Sequence, residues 1–138
     1  MAKARILMLE DSESDIFLLR HALDELAEEY ELTVFRDGEQ AVRHLTNSRT
    51  SKLEVEPCVV LLDLHLPRVD GMEVLRAIRE ESRFGEVPVI LCTSGATPEQ
   101  QAAIRALGAQ YRPKPSDLDE VCKLAADLIE LCKSPSTA

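Results

Sequence analysis

The sequence predicts an α/β fold in which five parallel strands form one sheet between two layers of helices. Short apolar runs alternate five times with longer stretches whose apolar residues recur at helical spacing. The runs have few polar positions, which is typical of strands covered on both faces. Strict alternation of strand and helix requires right-handed crossovers between parallel strands. At 138 residues the chain has the length of one domain.

The strand-like runs are short, and Val59-Val60-Leu61-Leu62 is the clearest of them. The run before Lys114 is the weakest, because few of its residues are apolar. The predicted strands span residues 4–9, 31–35, 58–62, 87–92 and 109–112.

Each run is followed by a stretch with helical periodicity. The fourth helix has the clearest start, because Thr97-Pro98-Glu99-Gln100 is a capping box with proline at the first helical position, and it should stop at Gly108. Ser12 or Ser14 can cap the first helix. The second helix follows Asp37-Gly38, the third starts near Gly71, and the fifth begins after Ser116 with Leu118, Val121, Leu124 or Ala125, Leu128 and Leu131 as its apolar stripe.

The flavodoxin-like strand order 2-1-3-4-5 fits a doubly wound sheet of this size, giving a (βα)5 fold. In this order the ligand crevice lies between the carboxyl ends of strands one and three. We expect residues 1–134 to form the domain and residues 135–138 to be a short flexible tail, with no output domain. Residues 46–57 are polar and predict an exposed loop.

The charge balance limits the kinds of partner. Sixteen basic against 25 acidic residues give a net charge of -9, which repels nucleic acid and anionic membranes. No run reaches the ~20 apolar residues that span a bilayer, and the N-terminal apolar run is too short for a signal peptide. We therefore expect a cytoplasmic protein that binds neither nucleic acid nor membrane.

The four cysteines show no C-x-x-C spacing, and the histidines do not complete a zinc site. We expect Cys58, Cys92, Cys122 and Cys132 to be reduced thiols that behave as small apolar residues. The fifth-helix stripe should be core, or it could leave Leu131 and Cys132 for a homodimer contact.

Polar residues stand where four of the predicted strands end. Glu10 and Asp11 follow strand one, Asp63 follows strand three, Thr93 strand four and Lys114 strand five. The carboxyl ends of parallel strands meet at one edge of a sheet, so these side chains should share a crevice. A single aspartate at such a place is usually a turn residue or a helix cap, but the complete set indicates a site.

Three carboxylates in one crevice repel each other, by about 4 kcal/mol for two unit charges 4 Å apart at an effective dielectric of 20. A divalent cation removes this repulsion, and oxygen ligands suit Mg2+, which also binds phosphate oxygens. Lys114 can neutralise a further oxyanion, and Thr93 can donate a hydrogen bond to it. Since a carboxylate can itself accept a phosphoryl group, the pattern predicts Mg2+-dependent formation of an aspartyl phosphate.

With these residues the chain resembles the receiver domain of two-component response regulators, of the stand-alone type. The resemblance covers nearly the whole chain and lies in Leu9-Glu10-Asp11, in Asp63 with Pro67, Asp70 and Gly71, in Cys92-Thr93-Ser94, and in Lys114-Pro115. It implies that Asp63 accepts phosphate from a sensor histidine kinase or a phosphotransfer protein. It also implies Mg2+ ligation by Asp11, Asp63 and the backbone carbonyl of His65, with Glu10 acting mainly through water.

The resemblance further implies a switch pair, Thr93 and Tyr111, in which the hydroxyl moves to the phosphoryl group and the ring turns inward. Without Thr93 and Lys114, Tyr111 would be an ordinary edge-strand aromatic. His65 and Gly95 stand where family members tune phosphate loss, and Gly95 should open access for water. Pro113 departs from the family pattern, and because proline lacks a ladder donor we expect strand five to be short or irregular there.

The segment from Glu10 to Leu19 is similar to the start of stand-alone regulators that are paired with bacterial phytochromes. The segments from Val34 to Leu45 and from Leu91 to Ser94 agree with this. The resemblance implies a bacteriophytochrome kinase as the phosphate donor. The signal would then pass to a downstream protein that the sequence does not identify, or onward as phosphate.

Three other functions fit part of the pattern. A haloacid dehalogenase-type phosphohydrolase also uses an aspartyl nucleophile and Mg2+, but that family usually has a second aspartate where this chain has His65. A flavin- or nucleotide-binding module needs a phosphate loop after strand one, where Glu10 and Asp11 would repel phosphate. A receiver used only for docking would not need the complete set of acids with Thr93 and Lys114. We expect a phosphoacceptor signalling protein rather than an enzyme.

Overall fold

The computed structural model describes residues 3–46, 56–81 and 84–133, and in them five strands alternate with five helices. The strands form one parallel sheet in the order β2-β1-β3-β4-β5, which confirms the flavodoxin-like order predicted from the sequence. The elements are β1 (Ala4–Leu9), α1 (Glu13–Glu25), β2 (Tyr30–Phe35), α2 (Gly38–Thr46), β3 (Val59–Leu62), α3 (Gly71–Glu80), β4 (Val89–Thr93), α4 (Pro98–Ala106), β5 (Gln110–Pro113) and α5 (Leu118–Lys133).

Helices cover both faces of the sheet. Because successive strand residues point to opposite sides, neighbouring residues of one strand belong to different core clusters. Leu62 belongs to the core cluster under α2, α3 and α4, whereas its neighbour Leu61 belongs to the cluster under α1 and α5. All four residues of the central strand β3 are buried. This double burial explains why the strand sequences show no polar alternation.

The helix ends follow the signals in the sequence. Ser12, rather than Ser14, caps α1, and its hydroxyl accepts a hydrogen bond from the Asp15 amide. The capping box of Thr97 and Gln100 is present in both directions at the start of α4. Gly108 follows this helix with a φ of 72°, a conformation that costs glycine little.

The expectation for the first residue of the α5 stripe is wrong. Leu118 opens α5 and is 51% exposed. The middle of the predicted stripe is buried, at Val121, Leu124, Ala125 and Leu128, and Leu131 is partly buried. No helix among the residues described is long and apolar enough to cross a membrane.

The expectation of four reduced thiols is also wrong. Cys58 and Cys132 form a disulfide, with their Cα atoms 5.0 Å apart, while Cys92 and Cys122 are free. Cys58 comes just before β3, and α5 runs back over the sheet so that its last turn lies beside that strand end. Residues separated by 74 positions are thus brought together by the fold, which cysteine spacing alone cannot reveal. Leu131 and Cys132 are partly buried against the core.

The expectation of a short or irregular strand five is confirmed in its first form, because β5 has only four residues and ends at Pro113. Pro113 still pairs in register with Thr93. The next residue, Lys114, donates its amide to the Thr93 carbonyl at 3.0 Å. Since alternate residues of an edge strand turn their amides to the neighbour, the nitrogen of Pro113 faces the open edge, where no donor is needed. Most of the predicted 46–57 loop and all of the tail lie outside the described residues.

Candidate functional site

The candidate site lies at the carboxyl edge of the sheet. Leu9 at the end of β1 is in register with Leu62 at the end of β3, and Leu62 is in register with Leu91 of β4. The residues that follow these strands therefore emerge side by side. The Asp63 amide donates to the Leu9 carbonyl at 3.1 Å, which holds the first residue after β3 against the end of β1.

The structure brings the three predicted acids together. One carboxylate oxygen from each of Glu10, Asp11 and Asp63 lies within 4.8 Å of the others. Glu10 and Asp63 are buried, with 4% and 5% of their surface exposed, whereas Asp11 is exposed. Two buried acids and one at the mouth form an oxygen-only donor set that opens to solvent.

Backbone amides hold the two buried carboxylates. The Ser12 amide donates to Glu10 Oε2 at 3.1 Å, and the His65 amide donates to Asp63 Oδ1 at 3.2 Å. These bonds fix one oxygen of each group. The second oxygen of Asp63, Oδ2, lies 3.4 Å from the Lys114 ammonium.

The acids oppose one another electrostatically. Burial raises the pKa of Glu10, and the charge of Asp63 raises it further, against the effects of the Ser12 amide and Lys114. Ionising Glu10 is therefore unfavourable beside an ionised Asp63. A divalent cation among these oxygens would remove that repulsion, and the residues present fit such an ion.

Lys114 contacts three carboxylates from the end of β5. Its Nζ is 2.8 Å from Asp15 Oδ2, 3.1 Å from Glu10 Oε1 and 3.4 Å from Asp63 Oδ2. Burial alone would lower the pKa of Lys114, but hydrogen bonds to Asp15 and Glu10 and the charge of Asp63 outweigh it and raise the pKa. The side chain is thus a fixed positive charge at neutral pH.

Sequence reasoning missed Asp15. It lies on the first turn of α1 and is 99 positions from Lys114, to which it accepts a hydrogen bond. One signal could have found it: Asp15 lies in the first turn of the helix that begins directly after Glu10 and Asp11, at the same edge of the sheet.

A glycine shapes the segment after Asp63. A Cβ on Gly71 would lie 2.3 Å from the Asp63 carbonyl oxygen and 2.7 Å from Leu64 Cα. The Gly71 amide donates to the Leu64 carbonyl at 2.8 Å, which closes the turn. Asp70 caps α3 by accepting from the Glu73 amide. The segment after the phosphoacceptor candidate therefore packs directly against the start of α3.

Thr93 and Tyr111 are the remaining predicted residues. Thr93 is fully buried at the end of β4, and its hydroxyl has no hydrogen-bond partner within the described parts of the chain. Tyr111 is partly buried against the cluster under α2, α3 and α4.

An ideal Cβ on Gly95 would meet no atom within 4 Å, so the space beside the site is open at that position. The His65 side chain is exposed, and its backbone amide donates to Asp63 Oδ1.

A small cavity of about 60 Å³ extends from Lys114 between α1 and α5. Apolar residues such as Met8 and Val121 line it, together with the free thiol of Cys92. Burial raises the pKa of Cys92 to about 11. The thiol therefore stays protonated at neutral pH and offers neither a nucleophile nor a metal ligand.

Residues 6–126 match the family model of the response regulator receiver domain. The chain is also similar to the response regulator Rcp1 of Synechocystis sp., with 31% identity over 120 residues that cover 86% of this chain and 82% of Rcp1.

Solved structures agree with these matches. The phosphorylated cyanobacterial phytochrome response regulator RcpA superposes with a TM-score of 0.84 and 27% identity, covering 99% of this chain and 98% of RcpA. The Mn2+-bound form of Rcp1 superposes with a TM-score of 0.79 and 29% identity, covering 98% and 97% of the two chains.

Proposed function

The chain belongs to the response regulator receiver domain family, and from this membership we propose that Asp63 accepts a phosphoryl group from a sensor histidine kinase. The observation that carries the proposal is the setting of Asp63: a buried carboxylate with one oxygen fixed by a backbone amide and the other 3.4 Å from an ammonium. Among the acids of the site, it alone combines burial with a position at the end of the central strand β3.

The metal in this proposal is Mg2+. Asp11, Asp63 and the backbone carbonyl of His65 would hold it, and Glu10 would act mainly through water. When bound, Mg2+ supplies positive charge that offsets the crowded carboxylates and the incoming phosphoryl oxygens. The oxygen-only donor set supports a hard cation, and the Mn2+-bound structure of the relative Rcp1 contains a divalent ion.

The transfer uses the two oxygens of Asp63 differently. Oδ1 stays on the His65 amide, so Oδ2 is the nucleophile that forms the new bond to phosphorus. The phosphorus–nitrogen bond of the kinase phosphohistidine breaks, and the imidazole keeps the electron pair. Lys114 donates to a phosphoryl oxygen, and its distance of 3.4 Å from Oδ2 supports this role.

We propose that Thr93 and Tyr111 form the switch. The buried hydroxyl of Thr93 without a partner supports this role, because a phosphoryl oxygen nearby would give it an acceptor. Its movement would leave room for the partly buried ring of Tyr111 and change the surface around α4, β5 and α5.

Thr93→Ala should still be phosphorylated, but phosphorylation should no longer change amide hydrogen exchange at residues 94–98. An unchanged exchange response in Thr93→Ala would contradict the switch assignment.

We further propose a bacteriophytochrome kinase as the donor, since RcpA is a phytochrome response regulator. Phe17 and Leu18 on α1 and Leu118 on α5 are exposed large apolar side chains that a kinase could contact, and Leu18 also lines the cavity beside Lys114. Phe17→Ala should slow transfer from the kinase and leave phosphorylation by acetyl phosphate unchanged. Transfer from an unrelated kinase, with none from any phytochrome-type kinase, would refute this pairing.

The proposed function is tested by intact mass after incubation with Mg2+ and acetyl phosphate. The wild type should gain one phosphoryl group only when Mg2+ is present, and Asp63→Asn should gain none. A gain in Asp63→Asn equal to that of the wild type would exclude Asp63 as the acceptor. If neither protein gains mass from acetyl phosphate or from any kinase, the receiver serves only for docking. Steady turnover of a phosphate ester would instead indicate a phosphohydrolase.

A further inference from the structure

The Lys114 ammonium makes its shortest contact with a residue outside the three-acid cluster. Asp15 Oδ2 lies 2.8 Å from Nζ, closer than Glu10 at 3.1 Å or Asp63 at 3.4 Å. Asp15 is not one of the three acids, Glu10, Asp11 and Asp63, that could hold a metal. The contact joins the first turn of α1 to the end of β5, across the mouth of the site.

Local structure fixes the position of Asp15 in the first turn of α1. Its amide donates to the Ser12 hydroxyl that caps α1, which sets the first turn of the helix. A carboxylate in this turn is also stabilised by the helix dipole. Asp15 and Lys114 are partly exposed, at 38% and 27% of their side chains, so the pair can separate without burying an unpaired charge.

We propose that Asp15 is a positioning residue that holds Lys114 on α1 in the unphosphorylated protein and competes with the phosphoryl group for the ammonium. This inference rests on the proposed function. One positive charge is shared among three carboxylates, and the one it approaches most closely is not the phosphoacceptor. Phosphorylation requires Lys114 to weaken its bond to Asp15 and to turn toward the oxygens on Asp63. Asp15 therefore slows phosphorylation and stabilises the unphosphorylated arrangement, in which Lys114 is bound to α1.

The test compares rate constants for phosphorylation by acetyl phosphate at saturating Mg2+ in Asp15→Asn, Asp15→Glu and the wild type. Asp15→Asn removes the competing charge and should raise the rate constant about two- to fivefold, the range expected for a partly exposed ion pair. Asp15→Glu restores the charge and should return the rate to that of the wild type. Glu13→Gln is the matched control, since Glu13 lies on the same turn but pairs with Arg36, and its rate should stay unchanged.

The increase in rate separates positioning from a merely structural role, because loss of a structural contact would slow the reaction. An unchanged or lower rate in Asp15→Asn, or an equal increase in Glu13→Gln, would overturn the proposal while leaving the proposed function intact. If the wild type, with Asp63 present, gains no phosphoryl group at saturating Mg2+, the proposed function fails and this inference fails with it.

Discussion

At the scale of single residues, the site depends on a close approach between two backbone segments. Gly71 opens α3 directly against the carbonyl of Asp63, and any Cβ there would overlap with that oxygen at 2.3 Å. Gly95 lies after β4 on the other side of the site, where a Cβ would meet nothing within 4 Å. The two glycines therefore differ in what they contribute, although both lie next to the site.

Gly71→Ala should destabilise the protein by about 1–3 kcal/mol, the usual effect of overpacking. The clash is with backbone atoms, which cannot rotate away, so the Asp63 segment must shift. Gly95→Ala is the matched control and should change the free energy of unfolding by less than about 0.5 kcal/mol. Urea unfolding of both variants measures the difference. Equal stability of the two variants would show that the close approach at Gly71 is not maintained in solution.

The sequence predicted the main site residues because strand ends can be located without side-chain geometry. Glu10, Asp63 and Lys114 were placed together from the positions at which apolar runs stop. Asp15 was not, since its contact with Lys114 depends on how α1 is rotated over the sheet, and an exposed acid on a helix is ordinary. The same limit applies to the disulfide of Cys58 and Cys132, which depends on where α5 ends.

At the scale of elements, the five strands lie within two residues of their predicted bounds, because apolar runs and turn residues mark them clearly. Links between elements were not predictable. Arg79 on α3 donates to the carbonyls of Leu107 and Gly108 at the end of α4, and to those of Gly85 and Val87 before β4. The sequence shows only an arginine on a helix. Its role as a connection between α3, α4 and the α3–β4 segment follows from the packing.

The disulfide is the covalent link between α5 and the sheet, and its removal should weaken the fold. Cys132→Ser should lower the free energy of unfolding by about 4 kcal/mol under non-reducing conditions, since the bond closes a long loop. Cys122→Ser on the same helix removes a free thiol and is the matched control.

Urea unfolding with and without a reductant measures this effect. The reductant should lower the stability of the wild type to that of Cys132→Ser and leave the variant unchanged. A wild type that is insensitive to the reductant, with four thiols titratable in the unreduced protein, would contradict the disulfide.

At the scale of the whole molecule, the burial of Glu10 beside Asp63 makes the stability of the fold depend on pH. The folded protein takes up the proton of Glu10 at a higher pH than the unfolded chain does, because burial and Asp63 raise its pKa above the usual 4.5. The stability from protonated Glu10 is fully present below that usual value and is lost as pH rises through the raised pKa. Around neutral pH the Ser12 amide and Lys114 therefore offset the burial of Glu10 and its repulsion by Asp63 only in part.

Mg2+ should stabilise the protein at pH 7.5, by about 2.7 kcal/mol at a concentration 100 times its Kd. The stabilisation should shrink as pH falls toward the usual pKa of Glu10, since the proton then competes with the cation. Thermal unfolding with Mg2+ and with a chelator, at pH 7.5 and pH 5, measures both effects. Asp11→Asn should reduce the stabilisation at pH 7.5. If Mg2+ stabilised Asp11→Asn as much as the wild type, the metal would not bind at the predicted acids.

The most direct test of the account is to locate the phosphoryl group within the chain. Borohydride reduces an acyl phosphate to the alcohol, so an aspartyl phosphate becomes homoserine, which peptide mass spectrometry can place. After treatment with Mg2+ and acetyl phosphate, the account predicts homoserine at position 63 and unmodified aspartate at positions 11 and 15. Homoserine at either of those positions, with Asp63 intact, would contradict it.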